Sequence, residues 1–537
     1  MASSCPECGS PYMPQPQTIP ATTETLERWQ HLVTSNDTPA GAELAFIQSV
    51  VSDSGARLDY LDSEISRLQD RLDQLQGERT RLSAYHSLNT SILSPLRRMP
   101  PEILVQIFVW TLPTSHERSG DVYDTQRSPW TLAQVSSRWR EIALSTPSLW
   151  SMIHITFPDD DDDDEDEEEE EEDEEEHWHR DILQAQLQRS GTLNLKIQFY
   201  GCEQADSTEQ LALFDLLSKH SARWEALNIQ LSSALAPRLA QLRGRLPVLR
   251  RLWLQWDSEK SQVGIDSITC FKTAPSLVDA GVNNGSRFIP ILVPAHQLTT
   301  YRLHGPWKMH LHVLELAPNI VEARIVADFD VDEAWPAPGA QAINLLHLQR
   351  LYVSNERMLN YLRTPRLADL CVQPVDEDLV VDSLDALFLR SACAPQRLYL
   401  KEISSTATTL AILKKYPFIT TIALTFFKDG VDAMEAHLTM LTDVSECQHL
   451  REICFGALES MLIDYPLFLR MLKACRQSSL RAASFLAAEG PDPDPVTLAG
   501  LHELRDGGLD LRLQSDQQAQ DCVTRWENGF VSHEGDD

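Results

Sequence analysis

The stretch Ser94-Pro-Leu-Arg-Arg-Met-Pro-Pro-Glu-Ile-Leu-Val-Gln-Ile-Phe108 begins a segment, ending at Phe157, around which the rest of the chain is organised. Pro100 and Pro101 supply the fixed φ of a helix start, and Glu102 lies in the first turn, near the positive end of the helix dipole. Apolar residues then recur at helical spacing, namely Ile103, Leu104, Ile107, Phe108 and Leu112. The pattern predicts an amphipathic helix.

The second half of this segment predicts two more short helical pieces. Ser128-Pro129 is typical of a helix start, with serine as the N-cap and proline as the first residue. The expected inner face of that helix carries Leu132, Val135, Trp139 and Ile142. Pro147-Ser-Leu-Trp150 adds another large apolar anchor. Three short helices bury too little surface to be stable alone, so we expect a docking module whose spare apolar surface belongs to a partner.

These residues, in this order, closely resemble an F-box of the basidiomycete type, and the match runs from Leu96 through Met99-Pro-Pro-Glu-Ile-Leu104 to Trp150. The resemblance implies a three-helix motif that binds the Skp-type adaptor of a cullin–RING ubiquitin ligase. The adaptor-binding residues that it implies are Leu96, Pro100, Ile103, Leu104, Ile107, Phe108, Leu132, Val135 and Trp139. Met99 stands where the family usually has leucine, and Pro113 to Arg127 form a polar insertion between the helices.

Composition limits the class of partner. The formal net charge is −33, and more than half of it comes from Asp159–Glu176, where all 18 residues are acidic. The remainder is still acidic. Because nucleic-acid binding needs clustered positive charge to neutralise phosphates, we expect no nucleic-acid partner.

The ten cysteines are scattered, and the chain begins without a signal-peptide pattern and holds no run of about 20 apolar residues. We therefore expect free thiols in the cytosol, the nucleus or both, with no membrane partner. Cys5 and Cys8 form half of a zinc knuckle, but a second cysteine pair is missing at suitable spacing. A disordered tail over residues 1–22 is the expectation, with no metal and no cofactor; zinc shared between chains is the weaker alternative.

A heptad pattern precedes the F-box-like segment. Leu26 to Val51 predict one or two short helices, and an apolar seam with alternating spacings of three and four follows. The seam residues are Leu58, Leu61, Ile65, Leu68, Leu72, Leu75 and Leu82, with Arg79 as the one break. Two interpretations stay open: a coiled-coil dimer, or a hairpin in which the preceding helix covers the seam.

The acidic run is predicted to be a disordered surface loop, since it repels itself and has nothing to bury. It follows a predicted strand, Met152-Ile-His-Ile155, and precedes a predicted helix running to Leu187. A solvated spacer is the simpler interpretation, and an electrostatic lure for basic partners is the alternative.

Residues 190–513 contain a cadence in which apolar residues recur at i, i+3 and i+5, often two places after a proline. Leu249, Leu252 and Leu254 after Pro247 are one example, and the units start 19 to 31 residues apart. That spacing is typical of leucine-rich repeats, in which short parallel strands stack side by side and helices cover one face. The units resemble the irregular leucine-rich repeats of F-box proteins, because the usual asparagine or cysteine after the strand is absent.

Strand alternation predicts which side chains face a partner. If Leu252 and Leu254 point into the core, their neighbours point out. This register exposes a strip that includes Arg251, Trp253, Arg302, Arg324, Arg350, Tyr352, Arg397, Tyr399 and Lys401. We interpret the strip as a basic and aromatic surface for an acidic or phosphorylated segment of a substrate, with an ordinary solvated strand face as the alternative.

The sequence as a whole predicts an α+β chain: an N-terminal helical or coiled-coil segment, a three-helix F-box, then an α/β leucine-rich-repeat-like solenoid arc. The expected domains are a tail at 1–22, a helical segment at 23–90, the F-box at 91–157, the acidic loop at 158–177, the substrate-binding repeats at 178–515, and a C-terminal cap and tail at 516–537. Catalytic motifs such as a phosphate-binding loop or a nucleophile elbow are absent. The predicted function is a non-catalytic substrate receptor of an SCF-type ubiquitin ligase, with the adaptor, a cullin and an unknown protein substrate as partners. The alternative is a scaffold without ubiquitin transfer.

Overall fold

A computed structural model of the protein describes most of the chain. The described residues are 23–112, 125–157, 172–329, 335, 342–426, 430–443, 448–457, 463–476, 479–487, 493–515 and 519. Cys5, Cys8, most of the polar insertion, most of the acidic run and nearly all of 516–537 lie outside them. The chain divides into two compact units, Met1–Pro100 and Pro101–Asp537, so the division falls within the predicted F-box range of 91–157.

The described part of the first unit, residues 23–100, contains two α-helices, α1 (Thr23–Thr34) and α2 (Gly41–Ile92), and a 3₁₀ turn at Pro95–Arg97. α2 is 52 residues long, so the second of the short helices predicted before Val51 is instead the start of one long helix. Its start is held by the Glu43 carboxylate, which accepts hydrogen bonds from the Ala40 N–H at 2.8 Å and from Arg28 Nε at 3.3 Å. No residue of α2 is buried, and the seven seam residues are 40–60% exposed. Among the described residues, the hairpin that would cover the seam does not form.

The second unit begins with short helices: α3 (Pro101–Trp110), α4 (Leu132–Val135), α5 (Ser137–Leu144) and a 3₁₀ turn at Pro147–Trp150. The predicted helix start at Ser128-Pro129 is wrong. Ser136 adopts an extended conformation that separates α4 from α5, and its side chain accepts a hydrogen bond from the Trp139 N–H at 3.2 Å. The serine N-cap in this segment is therefore Ser136, at the start of α5, and not Ser128 as the sequence pattern predicted.

The rest of the second unit is built on one large parallel sheet. Its strands are β1 (Met152–Thr156), β2 (Leu195–Tyr200), β3 (Trp224–Leu231), β4 (Arg251–Trp256), β5 (Asp279–Asn283), β6 (Thr300–His304), β7 (Glu322–Val326), β9 (Arg350–Val353), β11 (Asp369–Val372), β12 (Arg397–Leu400), β13 (Thr421–Phe426), β14 (Glu452–Ala457), β15 (Ala482–Ala487) and β16 (Asp510–Ser515). They lie side by side in chain order, all parallel. A separate parallel pair joins β8 (Ile343–Asn344) and β10 (Leu362–Arg363). The predicted strand at 152–155 is confirmed as β1.

Helices in the connections pack on one face of this sheet. They are α6 (Glu172–Arg189), α7 (Ser207–Ser218), α8 (Trp307–Glu315), α9 (Glu377–Ser391), α10 (Thr406–Lys415), α11 (Val431–Leu441), α12 (Tyr465–Cys475) and α13 (Pro495–Asp506), with short 3₁₀ turns elsewhere. The apolar cadence supplies the buried side of each strand, as Leu252 and Leu254 do in β4, and one continuous core results. Because α6 starts at Glu172, the last residues of the acidic run are helical, so the prediction of a loop is wrong for Glu172–Glu176.

None of the described helices is long and apolar enough to cross a bilayer. Within the same part of the chain, no group of three or more histidine, cysteine or acidic side chains is arranged to hold a metal ion.

His310, near the start of α8, is buried and forms hydrogen bonds to three other parts of the chain. Its Nδ1 accepts a hydrogen bond from the Tyr301 hydroxyl at 2.8 Å. Its Nε2 lies 3.0 Å from the Gly305 carbonyl oxygen and 3.1 Å from that of Val326, so Nε2 carries the proton. This arrangement needs a neutral ring. Burial lowers the pKa of His310 to about 4 from an ordinary value of 6.5.

The free energy of unfolding should therefore fall at acidic pH because of His310. Below pH 6.5 the unfolded chain takes up a proton at this ring, whereas the folded chain does so only near pH 4, so stability falls as the pH drops through this window, by up to about 3 kcal/mol. Urea unfolding of wild type and His310→Gln between pH 7 and 4 measures this, because glutamine can replace both kinds of hydrogen bond without titrating. His296→Gln, at an exposed position, is the control. An unchanged pH dependence in His310→Gln would contradict the assignment.

Candidate protein-binding surfaces

The helical segment that starts the second unit has its own small core. The large buried side chains are Leu104, Phe108, Leu132, Ile142, Leu149 and Trp150. The rings of Phe108 and Trp139 lie 4.8 Å apart, which joins α3 to α5. Trp150 donates from Nε1 to the Ala143 carbonyl oxygen at 2.8 Å, so its polar atom is satisfied in the interior. Arg189 at the end of α6 lies over the Trp150 ring at 4.4 Å, which ties this segment to the sheet that follows.

The structure separates the nine predicted adaptor-binding residues into two roles. Leu104, Phe108 and Leu132 are at most 5% exposed, so they belong to the core of this segment. The remaining six reach the surface to different degrees: Ile103 and Val135 are 43% and 56% exposed, Ile107 and Trp139 are half-buried, and Leu96 and Pro100 are exposed within the first unit.

Two apolar residues on α3 were missed by the sequence analysis. Val109 is 44% exposed and Trp110 is 82% exposed. Both fall outside the helical stripe that was used to choose candidates, although an exposed tryptophan at the end of an apolar helix is itself a sign of an interface. The described surface of the segment is therefore more apolar than predicted.

A second surface is the face of the large sheet opposite the helices, which we call the open face. All eight predicted substrate-binding residues lie on it, in two adjacent rows fixed by strand register. The aromatic–arginine row contains Trp253, Gly281, Arg302, Arg324, Tyr352, Cys371 and Tyr399. The charged row contains Arg251, Asp279, Thr300, Glu322, Arg350, Asp369 and Arg397.

The aromatic–arginine row is more buried than predicted. Tyr352, Tyr399 and Arg302 are only 1%, 7% and 9% exposed, so the expectation that the register exposes them is wrong. The reason is lateral packing, because neighbouring strands are about 4.8 Å apart and long side chains cover the adjacent strand. Trp253 lies over Gly281, where there is no room for a Cβ atom, and Arg324 Cζ lies 4.7 Å from the centre of the Tyr352 ring.

The charged row carries three arginines and three acidic residues, so the predicted basic strip is wrong as a description of its charge. Arg350 Nη1 lies 2.8 Å from Glu322 Oε1, and Arg350 Nε lies 3.3 Å from Asp369 Oδ2. Arg397 Nε lies 2.8 Å from Asp369 Oδ1. The acidic members were missed, although each stands directly before a buried strand residue, as Arg251 stands before Leu252. Reading that position in every unit would have shown that the row carries both signs of charge.

One ion pair between the two rows is largely buried. Arg302 Nη1 lies 3.3 Å from Asp279 Oδ1, and the two side chains are 10% and 20% exposed. Burial raises the pKa of Asp279 and lowers the pKa of Arg302, even though each partner favours the charge of the other. Burial also raises the pKa of Glu322, the next carboxylate in the charged row. By contrast, the Arg350 and Arg397 side chains are 42% and 62% exposed. Arg350 and Arg397 are therefore open to a partner although each is already paired, and Arg251 at the start of β4 is exposed as well.

Comparison with known proteins identifies one part of the chain. Residues 96–156 match the F-box-like domain family. No curated protein matches the chain. The matched range covers the helical segment with its Trp150 anchor and the whole of β1. The chain therefore contains an F-box-like domain at residues 96–156.

Proposed function

We propose that this protein is the substrate-recognition subunit of an SCF-type cullin–RING ubiquitin ligase and acts in the cytosol or nucleus. The observation that carries the proposal is the F-box-like segment, in which apolar Ile103 and Val135 remain exposed beside a complete core. Trp110, seven residues after Ile103 and so on the same face of α3, is exposed as well, and apolar residues grouped on one surface mark an interaction site, whereas single ones do not. The expected partner is a Skp-type adaptor, which in turn binds a cullin.

In this proposal the helices of the F-box form the three-helix motif that the resemblance implies. Ile103, Ile107, Val135 and Trp139 contact the adaptor, joined by Leu96 and Pro100 from the preceding segment. Leu104, Phe108 and Leu132 act indirectly, by fixing how α3 and α4 present those contacts. The ligase chemistry takes place on a ubiquitin-conjugating enzyme brought near the substrate, so this chain contributes affinity and orientation.

The substrate side of the proposal is the sheet of residues 178–515, taken as an irregular leucine-rich-repeat solenoid. Its parallel strands in chain order and the covering of one face by helices support this reading. The open face would hold an acidic or phosphorylated segment. Arg350 and Arg397 are accessible cations there, as is Arg251, and such a segment would compete with Glu322 and Asp369 for Arg350 and Arg397.

Affinity capture from cell extract tests both sides of the proposal. Wild type should retain adaptor and cullin, whereas Ile103→Asp/Val135→Asp should retain neither, because each aspartate would lose its hydration in the interface. Val263→Asp/Leu389→Asp is the matched control, since those apolar residues are 74% and 88% exposed on other elements. Adaptor retained without cullin by wild type would favour the scaffold alternative.

Proteins still retained by Ile103→Asp/Val135→Asp are substrate candidates. Adding Arg350→Glu and Arg397→Glu should release them, because the open face would then repel an acidic segment. Arg366→Glu/Arg505→Glu is the matched control, at exposed sites away from the open face. If the variant with Arg350→Glu and Arg397→Glu still retained the same proteins, that result would contradict substrate binding at these two arginines.

A further inference from the structure

α2 presents an apolar seam to solvent along most of its length. As a helix of 52 residues it extends for about 78 Å. Its seam residues lie at heptad positions a and d, and none of the described parts of the chain covers them. Extending the same spacing toward the N-terminus adds Val51 at a, which is 63% exposed, and Ser54 at d. Ser54 and Arg79 are then the two polar residues in a seam that runs from Val51 to Leu82.

We propose that two copies of this chain associate through α2 as an antiparallel coiled coil in one defined register, in which residues at the same level along the coil have numbers summing to 133. This proposal concerns the first unit alone and does not depend on the ligase function. Since 41 and 92 also sum to 133, this register pairs the helix over its whole length, end with end. Two-fold symmetry then makes every contact occur twice.

The core layers of this register bring like residues together. In each layer an a residue of one copy faces a d residue of the other. The layers are Val51 with Leu82, Leu58 with Leu75, Leu61 with Leu72, and Ile65 with Leu68. The remaining layer places Ser54 opposite Arg79, so the two polar residues of the seam face each other. A parallel pair would instead place Arg79 opposite Arg79.

The flanking charges favour the same register. In an antiparallel pair, g residues face g residues of the second copy. The g residues between Val51 and Leu82 are Arg57, Glu64, Arg71 and Glu78, which alternate in sign. The proposed register brings Arg57 to Glu78 and Glu64 to Arg71, and symmetry doubles both contacts. All four are attractive.

Other alignments of the two helices form fewer attractive charge contacts. Moving the antiparallel register by one heptad toward the C-terminus places Arg71 opposite Arg71 of the second copy and Glu64 opposite Glu78. Both contacts join like charges. A parallel pair, in which g faces the e residue five places later, has two attractive contacts, Arg57 with Asp62 made twice, and pairs the other three g residues with glutamine or serine. Charge complementarity therefore selects both direction and register.

The mass and the distance between helix ends test the proposal on the full chain. Light scattering should give twice the chain mass of 60.7 kDa. A single spin label introduced at Ser87 by an orthogonal chemistry, since the chain has ten cysteines, should lie about 60 Å from its mate, because residue 87 faces residue 46. In a parallel coil the labels would lie within about 20 Å, since paired helix axes are 8–10 Å apart. A monomer, a trimer or the short distance would overturn the proposal.

Two sets of variants test the register. Leu61→Asp/Leu72→Asp should give a monomer, whereas Ser63→Asp/Gln74→Asp, on the outer face of the same helix, should remain a dimer. Glu64→Arg should raise the dissociation constant about tenfold by placing arginine opposite Arg71 twice. Adding Arg71→Glu to Glu64→Arg should restore the wild-type dissociation constant.

Within one chain the Glu64 carboxylate pairs with Arg67 at 2.6 Å, so Glu64→Arg also removes a contact inside α2, and a glutamate at position 71, four residues after Arg67, would replace that contact. Arg71→Glu alone separates the two effects. It keeps the Glu64–Arg67 pair, yet it should also raise the dissociation constant, because it places glutamate opposite Glu64 twice. Failure of the double variant to recover the dimer would contradict the register.

Discussion

Replacing Asp279 by alanine should lower the free energy of unfolding by about 3 kcal/mol, because it leaves the Arg302 guanidinium charged, largely buried and without its ion-pair partner. Removal of one member of a buried pair typically costs about 3–5 kcal/mol. We expect the lower end of that range here, since Glu322 still attracts Arg302 from the next strand. Urea unfolding at pH 7 measures the change.

Asp369→Ala is the matched control on the same face of the sheet. It removes a carboxylate that pairs with Arg350 and Arg397, but both arginines remain solvated, so the cost should stay below about 1 kcal/mol. The double variant Asp279→Ala/Arg302→Met should recover most of the stability lost in Asp279→Ala, because no buried charge remains. Equal costs for Asp279→Ala and Asp369→Ala would show that burial does not decide the energetics of these pairs.

The sequence predicted the sheet well because strand alternation and burial follow the same two-residue period. Leu252 and Leu254 are buried as expected, and the residues between them face the other side. The two-residue alternation does not predict how much side chains on neighbouring strands cover one another. Arg302 and Tyr352 follow the predicted register yet are almost fully buried, because neighbouring side chains on the same face cover them.

The F-box-like segment shows a different limit of sequence reasoning. Helical spacing correctly grouped Leu104 and Phe108 with Ile103, but it could not tell which of them face the core and which face a partner, since both kinds of position are apolar. The helix start was misplaced for a related reason: Ser128-Pro129 and Ser136 both carry a serine N-cap signal, and only the chain conformation at Ser136 decides between them.

The second large effect concerns adaptor binding. Ile103→Asp/Val135→Asp should weaken binding to a Skp-type adaptor by more than about 100-fold, because two carboxylates would have to be stripped of water without hydrogen-bond partners. The free protein should fold normally, since both positions are already exposed to solvent. For that reason this pair is a sharper test than Phe108→Asp, which would also disrupt the core.

The most direct measurement is a calorimetric titration of the purified full-length chain with a purified Skp-type adaptor. Saturable binding with one adaptor per chain, lost in Ile103→Asp/Val135→Asp and kept in Val263→Asp/Leu389→Asp, is the result that ligase membership predicts. Absence of binding by a well-folded wild type, or equal binding by all three proteins, would contradict the assignment of the F-box-like domain as the adaptor-binding surface.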